Sequence, residues 1–135
     1  MSDLIKWLYS YAFDHKIGVL QITTAKEYSS LADKNKRTIV INNNWKNKKE
    51  LPFIIGHEIG HIMEGNPGLS YYCGTTLTPN ERRADLFSLN LIFEYATLQY
   101  DSYEEPYLFL QQYGIPIRML DDACNLFKKH DDLVF

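Results

Sequence analysis

Residues 54–66 read IIGHEIGHIMEGN. Isoleucines at 54, 55, 59 and 62 surround a polar trio, His57, Glu58 and His61, so the stretch reads as a buried helix. Pro52 fits the first helical position upstream. Gly65-Asn66-Pro67-Gly68 is a strong terminator downstream. Two histidines and a glutamate on an otherwise apolar helix need a physical reason, because unpaired polar groups are costly to bury.

Helical spacing supplies one. Positions four apart lie on one face, so His57 and His61 can aim both imidazoles at a single point. Zinc takes such nitrogens at roughly 2.0–2.1 Å, and catalytic zinc sites combine three protein ligands with an open position. Glu58 is rotated by about 100° from His57, which places it to face a water at the metal without coordinating. There a carboxylate can act as general base. The pattern therefore predicts a bound Zn²⁺, with His57 and His61 as ligands and Glu58 as the catalytic carboxylate.

A third ligand comes from one of two places. Glu64 lies three residues after His61, near the same face but in the last turn. Glu81 lies in TPNERRADLF, residues 78–87, where Thr78 can cap a helix beginning at Pro79. Glu81 then stands at the third helical position, the spacing of a capping box. Asp85 decides between them. Two carboxylates four apart on one helix repel each other, unless Glu81 meets a metal and Asp85 accepts the N–H of a ligand histidine. Glu81 is thus assigned as third ligand, and Asp85 as the residue that orients His57. A metzincin pattern is excluded, because Glu64 and Pro67 stand where Gly and His are required.

Outward from this motif, Asp3 can cap a first helix with apolar positions Leu4, Leu8, Tyr11 and Ala12, ending by Gly18. Strands are expected at Val19–Thr23 and Thr38–Ile41, separated by a polar loop at Asp33–Arg37. After the motif helix comes a loop over 68–79. Helices at Pro79–Tyr100, Glu104–Tyr113 and Pro116–His130 follow. The order α-β-β-α-α-α-α defines a small α+β fold in a single domain, 1–135, with residues 102–130 forming a C-terminal helical extension. At 135 residues, 45% hydrophobic and with a net charge of −3, the chain can bury one core and has no basic excess to favour nucleic acid or anionic membranes. No apolar run reaches transmembrane length. Cys73 and Cys124 form no CxxC pair and read as free thiols. With no signal-peptide pattern at the N-terminus, the expected location is the cytoplasm.

Four segments, TIVIN (38–42), FIIGHEIGH (53–61), ERRADLFSLNLI (81–92) and QQYGIPIRMLDDACNLF (111–127), resemble the ImmA/IrrE family of metallopeptidases, which are gluzincins. The likeness covers about residues 15–128. Gly56 and Ser88 each stand where that family usually has Ala, Asp85 stands for a frequent Asn, and the usual LLMP ending is missing. The resemblance implies a zincin-like fold and a zinc endopeptidase. It further implies action on a helix-turn-helix repressor of a phage or mobile element, with the substrate lying as an added strand on Thr38–Asn42 or Val19–Thr23. The alternative is a binding module, an antirepressor whose zinc is structural and which sequesters the repressor without cutting it.

Other residues are assigned lesser parts. Tyr71 or Tyr72, in the loop between the ligand helices, could donate to a developing oxyanion, although ordinary loop aromatics fit as well. Cys73 as a fourth ligand would close the site. Arg82 and Arg83 are expected at the surface or in ion pairs, and His15 and His130 at helix ends. Gly114-Ile115-Pro116 is read as a packing turn rather than a DNA-reading hinge, since no basic face accompanies it.

Overall fold

The computed structural model of the chain describes residues 2–64, 69–71, 78–99 and 105–134. It is an α+β arrangement: α1 (Ser2–Asp14), β1 (Gly18–Ile22), β2 (Leu31–Asp33), β3 (Thr38–Asn42), α2 (Leu51–Glu64), β4 (Leu69–Tyr71), α3 (Pro79–Leu98), α4 (Pro106–Tyr113) and α5 (Leu120–Val134). Short 3₁₀ turns at Lys48–Glu50 and Ile117–Met119 lead into α2 and α5. No helix among the described residues is long and apolar enough to cross a membrane.

Among the described residues the sheet has four strands in the order β1-β3-β2-β4, where two were expected. β1 runs parallel to β3, while β2 pairs antiparallel with both β3 and β4. The two additional strands are three residues each, and Leu31-Ala32-Asp33 has no β-branched residue to announce it. Over Thr38–Val40, β3 is paired on both sides and offers no open edge there for the added strand that was expected on Thr38–Asn42. The edges among the described strands are β1 and β4. Strand β1 starts at Gly18, one residue before the expected Val19. The last helix starts at Leu120, with a 3₁₀ turn in place of its expected first turn after Pro116.

One core joins the sheet to α1, α2 and the C-terminal helices. Ile39, Ile41 and Ala32 bury against Leu4, Leu8 and Ala12 of α1 and against Phe53, Ile55, Ile59 and Ile62 of α2. Each large side chain so buried contributes about 1.5–3 kcal/mol of transfer free energy. Helix α2 is buried without interruption from Pro52 to Ile62, so it has no solvent face over that length. At the end of β3, buried Asn42 accepts from the backbone N–H of Thr24 and Asn44, and its amide donates to the carbonyls of Ala25 and Tyr28. That network satisfies the loop preceding β2. Gly114 ends α4 at φ 69°, and a Cβ there would meet the Lys49 carbonyl at 1.8 Å. The Gly114-Ile115-Pro116 turn is therefore a packing feature, with Ile115 in the core.

Candidate metal centre

Two helices build the site. α2 presents His57 and His61 one turn apart, and α3 crosses it closely enough to bring Glu81 and Asp85 to the same place. The close approach depends on Gly56 and Gly60. A Cβ on Gly56 would fall 2.3 Å from the Ser88 hydroxyl, and one on Gly60 would fall 3.0 Å from the Phe87 Cβ. Ser88 donates to the Phe53 carbonyl at 2.7 Å, so its hydroxyl occupies the space left at position 56. At the start of α3, Thr78 caps as expected, its hydroxyl accepting from the Glu81 N–H at 3.3 Å, with Pro79 as the first helical residue.

Only half of a capping box forms. The Glu81 carboxylate, instead of returning to the backbone of Thr78, reaches both histidines. Its Oε2 lies 2.6 Å from His57 Nε2 and its Oε1 lies 3.0 Å from His61 Nε2. The two Nε2 atoms are 3.1 Å apart. Among the described residues, His57, His61 and Glu81 form a group whose ligand atoms all lie within 4.8 Å of one another and could hold a metal ion. Both histidines are fully buried, and the Glu81 side chain is 12% exposed. Asp85 Oδ1 lies 2.8 Å from His57 Nδ1, so this ring's N–H points away from the cluster and its Nε2 points into it.

Glu64 belongs elsewhere. Arg83 donates to its carboxylate at 2.9 Å and also pairs with Asn80, so Glu64 is engaged at the helix surface and is not part of the group. Arg82 forms a two-point pair with Asp122 of α5. His15 donates from Nδ1 to the Tyr11 carbonyl at the end of α1, and His130 packs edge-on against Phe93. Cys124 is a free, exposed thiol. The backbone of Tyr71 pairs with Leu31 in β4. Its side chain, together with Tyr72 and Cys73, lies outside the described residues.

Electrostatically the cluster is tense. Burial pushes Glu58 up to about 8; nearby His57 opposes that rise and Glu81 adds to it. Both Glu58 oxygens are buried without a hydrogen-bond partner among the described residues, and so is His61 Nδ1. For His57, burial acts downward, yet the hydrogen bonds to Asp85 and Glu81 and the charge of Glu58 carry it up to about 9. Burial acts upward on Glu81, but the two histidines hold it down to about 2. Asp85 is likewise lowered against its burial by His57 and Arg118. A buried acid with no donor among the described residues, beside imidazoles that share a second carboxylate, is a donor set suited to a divalent cation.

Arg118 was not anticipated from the sequence. It donates to both oxygens of Asp85, from Nε and Nη2 at 3.2 Å each. No spacing rule links positions 85 and 118; only the path of the chain brings them together.

Two imidazoles one turn apart on a buried helix, joined by a carboxylate from a crossing helix, form a His₂Glu group that could hold a metal ion in a protein of mixed α+β fold. The chain belongs to the IrrE N-terminal-like domain family, a peptidase family, whose profile matches residues 12–124. No curated protein and no solved structure matches it significantly.

Proposed function

We propose that the protein is a zinc-dependent endopeptidase whose substrate is a helix-turn-helix repressor of a phage or mobile element. The observation that carries this reading is the convergence of His57, His61 and Glu81 beside a fully buried Glu58 whose oxygens have no hydrogen-bond partner among the described residues. A divalent ion held by those three residues would supply a Lewis acid for the scissile carbonyl and for water. Glu58, electrostatically coupled to His57 and Glu81, takes the proton from the attacking water and passes it to the leaving amine. Asp85 keeps the N–H of His57 directed outward and its Nε2 directed toward Glu81 and His61. Zn²⁺ is the ion of choice for two imidazoles and one carboxylate with an open position.

The repressor would present an extended segment at the sheet edge formed by β4. That strand lies beyond β2, and β2 and β3 are the strands that pack against α2, whereas β1 lies at the opposite edge. Main-chain pairing there gives affinity without demanding a fixed sequence.

Glu58→Gln tests the reading. Zinc stays bound at wild-type stoichiometry while cleavage of the cognate repressor falls by about 10²–10⁴-fold, the usual range for loss of a general base. Cleavage at the wild-type rate by that variant overturns the mechanism. If wild-type protein neutralises the repressor without cutting it and Glu58→Gln does so equally, the activity is sequestration and the zinc is structural.

A further inference from the structure

We propose that Arg118 is a positioning residue for the metal centre: it fixes the Asp85 carboxylate, which in turn fixes His57. The inference rests on the metallopeptidase reading for its purpose but not for its geometry. Arg118 sits in the 3₁₀ turn Ile117–Met119, far along the chain from both ligand helices. Its guanidinium lies 5.6 Å from the centroid of the Phe53 ring, which stands one turn before His57 on α2. From that seat it reaches α3, with Nε on Asp85 Oδ2 and Nη2 on Asp85 Oδ1. Oδ1 is also the atom that accepts from His57 Nδ1.

A carboxylate held at both oxygens by a planar fork cannot swing about its Cβ–Cγ bond. With the acceptor fixed, the direction of the His57 N–H is fixed, and so is the direction of Nε2 on the other side of the ring. Asp85 alone would be a nearly buried carboxylate with one hydrogen bond, able to rotate toward other donors. Lysine could replace the charge but not the fork. The arrangement also gives the C-terminal segment a role in the site, because the turn carrying Arg118 is placed by α4, Gly114 and α5. His57 and His61 are then supported unequally. His61 Nδ1 has no acceptor among the described residues, whereas His57 Nδ1 stands at the end of a two-residue relay from the C-terminal turn.

Three variants test this in the full chain: Arg118→Met, Arg118→Lys and Arg82→Met. The last breaks the Arg82–Asp122 pair between α3 and α5 and removes a charge that acts on Asp85 from a distance, but it removes none of the hydrogen bonds that hold Asp85. Zinc affinity is measured by competition with a chelating dye. The downfield Nδ1–H proton of His57 is followed by NMR in metal-free protein. Arg118→Met weakens zinc binding by roughly 10–100-fold and abolishes the slowly exchanging Nδ1–H signal. Arg118→Lys recovers part of both, and Arg82→Met retains both. Wild-type zinc affinity with a persistent Nδ1–H signal in Arg118→Met overturns the proposal. Equal weakening by Arg118→Met and Arg82→Met also overturns it, by showing that any loosening of the C-terminal helices suffices. Should wild-type protein bind no zinc while its Nδ1–H signal still depends on Arg118, the peptidase reading falls and the positioning role stands.

Discussion

Alanine at position 56 reads directly how close α2 and α3 must come. On helix propensity alone, Gly→Ala in a helix interior gains about 1 kcal/mol. Packing opposes it. The new Cβ would lie 2.3 Å from the Ser88 hydroxyl, 3.1 Å from its Cβ and 3.2 Å from its Cα. The hydroxyl can rotate away, but only by leaving the Phe53 carbonyl, a loss of about 1 kcal/mol. The Cα cannot rotate, so the helices must part, and overpacking of this kind costs about 1–3 kcal/mol. The balance is a net destabilisation of about 1–3 kcal/mol, the contact outweighing the propensity. Ser88→Ala alone should cost only about 0.5–1.5 kcal/mol, because the Phe53 carbonyl keeps its place in the helix.

Combining the two removes the worst contact, so the double variant is more stable than the sum predicts, with a coupling of about 1–2 kcal/mol. Urea unfolding of the four proteins closes the cycle. Zinc affinity follows in parallel, since α3 carries Glu81 and Asp85 and moves with the crossing. Stabilisation by Gly56→Ala, or additivity within about 0.3 kcal/mol, would show that the glycine is not what sets the distance.

Glu81→Gln keeps the backbone N–H that Thr78 caps, so helix stability changes by less than about 1 kcal/mol, while zinc affinity, measured against a chelator, falls at least about 100-fold. Equal affinity would remove Glu81 from the ligand set. The pH dependence of metal-free protein has a definite sign. His57, raised to about 9, adds stability that is complete below its ordinary 6.5 and is lost as pH climbs through 9. Glu58, raised to about 8, acts the same way from about 4.5 upward. Glu81, lowered to about 2, loses its contribution only in acid. The unfolding temperature in chelator should therefore fall between about pH 5 and 9, and a rise across that window in calorimetry contradicts the assignment.

Much of the site was legible because its chemistry is encoded locally. His57, Glu58 and His61 lie within five residues, and the conflict between Glu81 and Asp85 on one helix points to a cation beside Glu81 and a histidine N–H for Asp85. Short strands were not legible: Leu31–Asp33 and Leu69–Tyr71 owe their conformation to pairing with neighbours rather than to their own residues. Arg118 was hidden for the same reason, as a long-range contact without a spacing signature. Gly56 and Ser88 are the instructive case. In sequence they are two separate departures from a family that usually has alanine at both positions. In space they form one exchange, the methyl missing from α2 replaced by a hydroxyl from α3.

The charges explain how such a cluster can be buried at all. Glu58, Glu81, Asp85 and Arg118 sum to −2 when all are ionised. In metal-free protein near neutrality, His57 holds a proton at about 9 and Glu58 holds one at about 8, which brings the group to zero. A divalent cation brings the same total to zero with both protons gone. Two protons and one dication therefore carry the same charge into this cluster. The two states differ in what Glu58 can do. Protonated, it has no base to offer; ionised, it does, and the low-dielectric surroundings that raise its affinity for a proton make it a stronger acceptor. Burial of Glu58, which looks like a folding liability, is on this reading what fits it to take a proton from water near pH 7.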